Sequence, residues 1–297
     1  MSNFELHISH STVFSGYQKP FEQADYIIFG VPFDLTSTYR TGARFAPLAI
    51  REASLNIETY SFRSNIDIED IKTHDLGDHH ISNNIETTLK RLEGIVKDLL
   101  KAKKMPILIG GEHTITLGAM RGVGGKDTAV ISLDAHLDLR NEYMDLTTSH
   151  TTFMRRLNEQ VKPKKLVEVG TRAVCREELD YAKEGGIQYF TTKEMREIGL
   201  EATISAVKKV VQNCKRIYLT VDMDVLDPAF APAVQNPEPD GLSVQDLLNL
   251  VSNLCDSRIV GLDLVEVTPP YDMGVTAIQA AKILFEALCR IEKARKG

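Results

Sequence analysis

The stretch that decides the fold reads T-A-V-I-S-L-D-A-H-L-D and occupies residues 128–138. Its first six positions carry no charge and are rich in β-branched residues, which is typical of a strand buried on both faces. Its last five place Asp134, His136 and Asp138 two residues apart, and residues two apart on an extended chain project to one side. R-I-Y-L-T-V-D-M-D-V-L-D at 216–227 repeats this arrangement with Asp222 and Asp224. Both clusters predict a cation site, because buried carboxylates repel one another unless protons or a cation neutralise them.

Short apolar runs of the same kind recur along the chain and alternate with helical patterns. Eight strands are predicted, at 26–31, 72–75, 106–109, 129–133, 166–169, 188–190, 216–221 and 259–267. Seven helices are predicted, at 47–60, 85–103, 114–121, 150–159, 201–213, 244–255 and 276–296. This alternation predicts an α/β fold with a mostly parallel eight-stranded sheet covered on both faces, in a single domain spanning 1–297. The Pro-rich stretch 227–239 lies between a strand and a helix, so we interpret it as an active-site loop rather than a linker.

Composition narrows the possible partners. The 297 residues carry a net charge of −6, which argues against nucleic acid or an anionic membrane surface as a partner. No secretory signal pattern is visible at the amino terminus, and the longest apolar stretch, 26–33, is far too short to span a bilayer. The four cysteines include no C-x-x-C pair, which argues against a disulfide framework or zinc knuckle. We therefore expect a cytoplasmic protein without a membrane or nucleic-acid partner.

Residues that commonly bind metal follow four of the predicted strands. G-G-E-H at 110–113 follows the third strand, the two acidic clusters follow the fourth and seventh, and Glu266 lies in E-V-T-P-P at the end of the eighth. In open α/β sheets, ligands bind beyond the carboxyl ends of the strands. These four strand ends therefore predict one shared site at one edge of the sheet.

Some of these motifs have a simpler interpretation when taken alone. Gly110-Gly111 on its own favours a tight turn before a helix, with His113 in its first turn. Asp227, which precedes Pro228, is predicted to cap a turn and orient its loop rather than to bind metal. Five further histidines are predicted to take surface or turn positions, or to belong to a polar amino-terminal segment: His7, His10, His74, His79 and His80.

Taken in order, the motifs resemble those of the ureohydrolases, the arginase/agmatinase family of binuclear manganese hydrolases. The matching stretches are G-G-E-H-T at 110–114, S-L-D-A-H-L-D at 132–138, T-V-D-M-D-V-L-D-P-A-F-A-P at 220–232 and G-L-D-L-V-E-V-T-P-P-Y-D at 261–272. The resemblance covers nearly the whole chain. It implies a three-layer α/β/α, arginase-like fold, two Mn²⁺ ions per subunit, and a homo-oligomer, either a trimer or a hexamer.

The resemblance also implies a role for each site residue. One ion would be held by His113, Asp134, Asp138 and Asp222, and the other by Asp134, His136, Asp222 and Asp224. Asp134 and Asp222 would then bridge the ions and leave room for a shared hydroxide, which could donate a hydrogen bond to Asp138. An oxygen-rich site with two imidazoles is typical of Mn²⁺, whereas a structural zinc site would contain thiolates and fewer carboxylates.

Two further residues are assigned by the same resemblance. Glu266 would clamp the nitrogens of a guanidinium group, for which bidentate carboxylate pairing is the expected geometry. His150 would move a proton to the leaving amine. The chain departs from the family here, because Thr151 stands where a glycine usually follows this histidine.

The substrate implied by the resemblance is agmatine, a small cationic guanidino compound hydrolysed to putrescine and urea. The segment 39–53 and the motif E-V-T-P-P-Y-D are agmatinase-like, and the loop 139–149 does not resemble the one that reads the amino-acid head group in arginases. The loop 233–241 reads A-V-Q-N-P-E-P-D-G, whereas the family usually has Gly and Thr before P-E-P-G-G. A longer amine such as aminopropylagmatine is therefore an open possibility.

A different class of substrate, or none at all, would also fit the motifs. The substrate could instead carry a carboxylate, as in guanidinobutyrate, arginine or formiminoglutamate, which Arg140, Arg155 or Arg156 would meet. The chain could also be a non-catalytic metal-binding relative. The presence of all six ligand residues and of Glu266 argues against that last interpretation.

Overall fold

The structure is a computed structural model that describes residues 2–9 and 12–297, so His10 lies outside the described residues. Its strands are β1 (Ile8–Ser9), β2 (Tyr26–Val31), β3 (Tyr60–Ser61), β4 (Ile66–Asp67), β5 (Thr73–His79), β6 (Met105–Gly110), β7 (Thr128–Leu133), β8 (Lys165–Thr171), β9 (Gln188–Thr191), β10 (Arg216–Asp222) and β11 (Ile259–Val265). Its helices are α1 (Asn3–His7), α2 (Ala46–Ser54), α3 (Ile85–Lys101), α4 (Ile115–Val123), α5 (Phe153–Gln160), α6 (Arg176–Gly185), α7 (Thr192–Ile198), α8 (Leu200–Val211), α9 (Val244–Leu254) and α10 (Val275–Lys296).

Nine strands form one sheet in the order β1-β5-β2-β6-β11-β10-β7-β8-β9, and β3 and β4 form a separate hairpin. Every pairing in the large sheet is parallel except that of β1 with β5. All eight predicted strands are present, but the predicted number of eight is wrong by one. The additional strand β1 is two residues long, too short to produce the alternation by which strands are recognised in a sequence.

Helices cover both faces of the sheet and produce three layers. Successive residues of β6 show the division, because Ile107 and Ile109 pack into one apolar core while Leu108 packs into the other. The first core contains residues of α2, α8, α9 and α10, and the second contains residues of α3, α4, α5 and α6. The predicted three-layer α/β/α fold is confirmed.

The seven predicted helices all occur, but their bounds and number differ from the prediction. Helix α2 ends at Ser54 rather than at 60, and α5 begins at Phe153 rather than at 150, so His150 lies in the turn before it. Helices α1, α6 and α7 were not predicted. In α6 only Glu178 and Ala182 are buried, and its ten residues include only three apolar ones, Leu179, Tyr181 and Ala182, which is a weak signal in a sequence.

The strands that matter for the site are neighbours at the centre of the sheet. Strand β10 pairs with β7 on one side and with β11 on the other, and β11 pairs with β6. All four are parallel, so their carboxyl ends lie at one edge. Val221 is opposite Leu133, and Asp222 is opposite Val265, which places Asp134, Asp222 and Glu266 side by side.

One histidine occupies a different environment from the one predicted. Strand β5 continues past the predicted end at 75 to His79, whose side chain is buried rather than in a surface turn. The Nδ1 atom of His79 lies 3.2 Å from the carbonyl oxygen of His7, and its Nε2 atom has no hydrogen-bond partner among the described residues. Burial lowers the pKa of His79 to about 4.

None of the helices formed by residues 2–9 and 12–297 is both long and apolar enough to cross a membrane.

The burial of His79 predicts a contribution to acid sensitivity. Between its ordinary pKa of 6.5 and its folded-state value of about 4, the unfolded chain binds a proton that the folded chain does not. The free energy of unfolding should therefore fall as the pH drops through this window and be unaffected by His79 above it. The free energy of unfolding, measured by urea denaturation, should fall between about pH 7 and about pH 5 both in the wild type and in His79→Leu. In His79→Leu this fall should be smaller than in the wild type by about 2 kcal/mol. His74→Leu, in the same strand, should keep the wild-type slope; an unchanged slope in His79→Leu would contradict the prediction.

Candidate metal centre

The turn after β6 brings His113 under the ends of β7 and β10. Gly111 makes this turn possible, because a Cβ atom at that position would lie 2.3 Å from the carbonyl oxygen of Phe33. The backbone N–H of Gly111 donates to the carbonyl oxygen of Val31, which holds the turn against β2. The glycine pair thus forms the tight turn expected from the sequence, and it also positions His113.

A first group of potential ligands surrounds the Nδ1 atom of His113. This atom lies 3.0 Å from Asp134 Oδ2, 3.2 Å from Asp222 Oδ2 and 3.6 Å from Asp138 Oδ2. The His113 side chain is fully buried, and its Nδ1 atom makes no hydrogen bond of ordinary geometry within the described parts of the chain. A buried nitrogen without such a partner that faces three carboxylates is the arrangement expected of a metal ligand.

A second group lies on the other side of Asp134. The Nδ1 atom of His136 is 3.0 Å from Asp224 Oδ2 and 3.6 Å from Asp134 Oδ1. Asp134 therefore contributes one carboxylate oxygen to each group. His113, Asp134 and Asp222 can hold one metal ion, and Asp134, His136 and Asp224 can hold another, because the ligand atoms of each set lie within 4.8 Å of one another.

The structure brings all six predicted ligand residues into one cluster, but not in equal positions. Asp138 faces His113 from 3.6 Å and lies at the rim of the first group. Asp222 falls only in the first group, and its Oδ1 atom accepts a hydrogen bond of 2.8 Å from the backbone N–H of Asp224. The expected bridging role of Asp222 stays a prediction.

The electrostatics of the cluster favour a bound cation. Burial raises the pKa of Asp138 and of Asp222 well above the usual range, and repulsion from Asp134 and other carboxylates raises it further. Burial alone would lower the pKa of His113, but the close Asp134 carboxylate, 3.0 Å from Nδ1, and the charge of Asp138 outweigh it and raise the pKa to about 9. In the absence of metal, these groups must retain protons to limit the repulsion, and a divalent cation would displace those protons.

A chain of buried hydroxyl and carboxyl groups fixes the orientation of the His113 ring. Its Nε2 atom lies 2.7 Å from Thr220 Oγ1, and the Thr220 hydroxyl donates to Asp263. Asp263 also accepts hydrogen bonds from Tyr218 and Thr116, at 2.7 and 2.8 Å. Because Nε2 is engaged in this way, Nδ1 is the nitrogen left to face the carboxylates. We did not predict Thr220 or Asp263 from the sequence, although both are polar residues within otherwise apolar buried strands.

Glu266 and His150 lie beside the cluster. The Oε1 atom of Glu266 accepts a hydrogen bond of 2.6 Å from the backbone N–H of His113, whereas its Oε2 atom is buried and has no partner in residues 2–9 or 12–297. The Nδ1 atom of His150 is 3.8 Å from Glu266 Oε1, and its Nε2 atom is 3.1 Å from Thr38 Oγ1. Burial lowers the pKa of His150 to about 3, and repulsion from His136 and His113 contributes.

Two of the predicted site residues have a strained backbone. Asp138 has φ of 52° and Glu266 has φ of 68°, a left-handed conformation that non-glycine residues adopt at a cost of roughly 1–3 kcal/mol. Such strain persists only where the surrounding structure imposes it, and it is concentrated at functional sites. Eight other described non-glycine residues also have positive φ, so the strain shows that the surroundings impose these two conformations but does not by itself mark a functional site.

The turn that carries His150 is positioned by a residue whose role the sequence did not reveal. The carboxylate of Glu112 accepts hydrogen bonds from the backbone N–H and the hydroxyl of Thr36. The Thr36 hydroxyl in turn accepts a hydrogen bond of 3.1 Å from the backbone N–H of His150. Glu112 stands in the G-G-E-H motif and thus links the loop after β2 to the turn before α5.

An open cavity of about 610 Å³ leads from the surface to His136 and Asp138. Residues 236–238 line one wall, so the Pro-rich stretch borders the site, as predicted. The carboxylate of Asp227 accepts hydrogen bonds from the backbone N–H groups of Ala229 and Gly241, which confirms that it caps the turn and orients this loop.

Another residue missed in the sequence, Arg172, ties this loop to the cluster. Its guanidinium donates to the carbonyl oxygens of Asp224, Glu238 and Pro239, at 2.6, 2.8 and 3.0 Å. It also contacts the carbonyl oxygens of Gly170, Val225 and Leu226. No sequence motif indicates such an arginine, because its partners are backbone atoms, most of them distant in the chain.

Two of the three arginines considered as receptors for a substrate carboxylate are engaged elsewhere. Arg155 pairs with Glu159 and Glu177, and Arg156 contacts Asn141 and Glu159. Neither lines the cavity, whereas Arg140 does, with its guanidinium 4.8 Å from the ring centre of Tyr143.

Comparisons with known proteins agree with this geometry. The sequence model of the Arginase family matches residues 24–289. An agmatinase from Bacillus anthracis is 34% identical over 93% of this chain and 95% of its own length. An N(1)-aminopropylagmatine ureohydrolase from Thermococcus kodakarensis is 34% identical over 92% of each chain. The crystal structure of an agmatine ureohydrolase from Thermoplasma volcanium is 36% identical and superposes with a TM-score of 0.90, covering 97% of both chains.

The shared position of Asp134 predicts that both ions depend on it. In Asp134→Asn, the metal content after dialysis against Mn²⁺ should fall from about two ions per chain to less than one, because each group loses a charged oxygen. Stabilisation of the wild type by Mn²⁺ at about 100 times its Kd should be about 2.7 kcal/mol for each bound ion, and the variant should lose most of it. Elemental analysis and thermal melting measure these two effects. Asp180→Asn, an exposed change on α6, is the control, and wild-type metal content in Asp134→Asn would refute the shared role.

Proposed function

The chain belongs to the arginase family and is a ureohydrolase, and we propose that it hydrolyses agmatine to putrescine and urea with two bound Mn²⁺ ions. The observation that carries the proposal is the buried Glu266 carboxylate beside the paired His and Asp groups. One of its oxygens is fixed by the backbone of His113, and the other has no hydrogen-bond partner in the described part of the chain.

The free oxygen of Glu266 is suited to a guanidinium group. A buried carboxylate without a cationic partner is costly, and burial with repulsion from Asp222 raises the pKa of Glu266 well above its usual range. A guanidinium supplies a positive charge and parallel N–H donors, which form the strongest pairing available to a carboxylate. Glu266 would therefore bind and orient the group that is to be hydrolysed.

One ion would be held by His113, Asp134 and Asp222, and the other by Asp134, His136 and Asp224. This mixture of imidazole and carboxylate ligands suits Mn²⁺. When bound, two such ions make water nucleophilic near neutral pH and stabilise the negative charge that develops during attack. Asp138, at the rim of the first group, lines the cavity and is placed to accept a hydrogen bond from the attacking water.

His150 would relay a proton to the leaving amine. Because burial lowers its pKa to about 3, its ring is neutral before the reaction, so it would first accept the proton that the attacking water gives up and then pass it to the amine. Its ring lies between Glu266 and the hydroxyl of Thr38, at 3.8 and 3.1 Å, and is therefore next to the proposed position of the guanidinium. The side chain of Thr151, in place of the usual glycine, contacts Ser149 Oγ at 3.1 Å and lines the cavity. The larger residue is thus accommodated beside His150, and it narrows the space available to the rest of the substrate.

A guanidino acid is the second candidate substrate. Arg140 lines the same cavity, and its guanidinium could pair with a carboxylate at the far end of guanidinobutyrate. We favour agmatine because a relative named agmatinase matches 93% of this chain, and because Arg155 and Arg156 are paired with glutamates outside the cavity.

The proposal predicts a substrate order. After reconstitution with Mn²⁺, urea release should have a higher kcat/KM with agmatine than with aminopropylagmatine, guanidinobutyrate or arginine. A preference for any of the other three compounds would refute the agmatine assignment while leaving a ureohydrolase. No urea from any of the four compounds would refute the ureohydrolase itself.

The proposed role of His150 predicts a loss of turnover without a loss of metal. In His150→Asn, kcat should fall by about 10²–10⁴-fold, the typical contribution of a positioned proton donor, while metal content stays at the wild-type level. Steady-state kinetics and elemental analysis provide the two readouts. His80→Asn, an exposed change, serves as control. Loss of metal in His150→Asn, or an unchanged kcat, would show that His150 has a different role.

A further inference from the structure

We propose that Glu238 receives the distal ammonium group of the substrate and so selects guanidino amines over guanidino acids. This inference rests on the proposed ureohydrolase function, because it concerns the other end of the same substrate. Glu238 lines the cavity that leads to the metal groups, and its side chain is 40% exposed.

Glu238 is the available carboxylate of the cavity. Besides Asp138, two acidic residues line the wall, Glu178 and Glu238. Both oxygens of Glu178 are engaged, because they accept hydrogen bonds from the backbone N–H groups of Leu139 and Cys175. The Glu238 carboxylate accepts no hydrogen bond from any residue in 2–9 or 12–297, and its nearest charged or titratable partner there is His136 Nε2, at 3.9 Å.

Its position relates Glu238 to the reacting end of the substrate. His136 directs Nδ1 at Asp224 and Asp134, while Nε2, on the opposite edge of the ring, faces Glu238. One imidazole ring therefore separates this carboxylate from the ligand oxygens of the second group. A substrate whose guanidinium is held at Glu266 would extend its methylene chain outward through the cavity, past the Glu238 carboxylate.

The backbone on both sides of Glu238 is held in place. Arg172 binds the carbonyl oxygens of Glu238 and Pro239, and Arg196 pairs with the Asp240 side chain at 2.5 Å. Pro237 and Pro239 flank Glu238 in the sequence, and proline restricts the backbone at its own position and the one before it. Only side-chain rotation has to be lost when Glu238 binds a cation, so little ordering opposes binding.

Arg140, which lines the same cavity, makes the proposal testable, because a guanidinium there would repel an ammonium and attract a carboxylate. Its neighbour Tyr143 is exposed, as are most residues of the segment 141–147. The Arg140 side chain stacks on this exposed ring, whereas the backbone around Glu238 is fixed by the hydrogen bonds of Arg172 to the carbonyl oxygens of Glu238 and Pro239. Glu238 is therefore the better organised of the two receptors.

The test compares substrates that differ only at the distal end. Agmatine and butylguanidine share the guanidinium and the four-carbon chain, but butylguanidine lacks the ammonium. In Glu238→Gln, the ratio of kcat/KM for agmatine to that for butylguanidine should fall about 10-fold, the loss expected for one charge-assisted hydrogen bond. Glu184→Gln, an exposed change on α6, should keep the wild-type ratio. Metal content and melting temperature show whether Glu238→Gln is otherwise intact.

Binding measurements separate this inference from the ureohydrolase proposal. If the wild type releases no urea, the ureohydrolase proposal fails, and calorimetric binding of agmatine and butylguanidine to Mn²⁺-loaded protein still tests Glu238. A loss of agmatine affinity relative to butylguanidine in Glu238→Gln supports the inference, and an equal effect on both compounds overturns it. The Arg140→Gln variant tests the alternative, in which Arg140 binds a carboxylate at the distal end of the substrate. If it weakens guanidinobutyrate about 10-fold while Glu238→Gln leaves agmatine unchanged, the distal site belongs to Arg140.

Discussion

The mutual repulsion of buried carboxylates at the ends of β7 and β10 is the constraint on which the rest of the site depends. The parallel pairing of Leu133 with Val221 places Asp134 beside Asp222, and both side chains are buried. Such an arrangement is stable only if positive charge or protons are supplied. His113 and His136 supply part of it, because each directs a ring nitrogen at these carboxylates. A pair of divalent cations would supply the rest, and the hydrogen bond of His113 Nε2 with Thr220 keeps Nδ1 of that ring facing the place where one of them would bind.

The surroundings of the cluster hold it in a geometry that its residues would not adopt alone. Asp263 and Thr220 keep one edge of His113 occupied, and the backbone N–H of His113 fixes one oxygen of Glu266. Asp138 and Glu266 retain left-handed backbones, whose conformational cost must be offset by the packing around them. The strands that carry these residues are buried at the centre of the sheet, and this is the part of the molecule best able to sustain such strain.

How much of this could be predicted depends on the range of the interaction involved. The eight strands of the prediction were found because each is a short apolar run. Five of the six ligand residues were singled out because they follow two of these runs at spacings of two, whereas His113 was assigned as a ligand through the resemblance to the ureohydrolases. Strand β1 escaped because two residues carry no periodicity, and α6 escaped because its sequence is polar nearly throughout. Arg172 escaped for a different reason: it binds backbone carbonyls some fifty or more positions away, and a sequence does not show such contacts. The buried position of His79 was missed because β5 runs farther than its apolar residues suggested.

The two ends of the substrate would thus be read by parts of the fold with different physical properties. The guanidinium end would meet strand ends and a glycine turn, where a shift of backbone would disturb packing on both faces of the sheet. The distal end would meet loops, where one residue can change without altering the core. Side chains on loops are usually held less precisely than side chains on strands. The loop of Glu238 is an exception, because it is fixed by Arg172, Arg196 and Asp227. The loop can therefore change in sequence and still present a carboxylate at a defined position. The rigid strand ends would carry out the same hydrolysis in each case. Substitutions in the loop that carries Glu238 could then adapt the site to guanidino compounds that differ only at the far end.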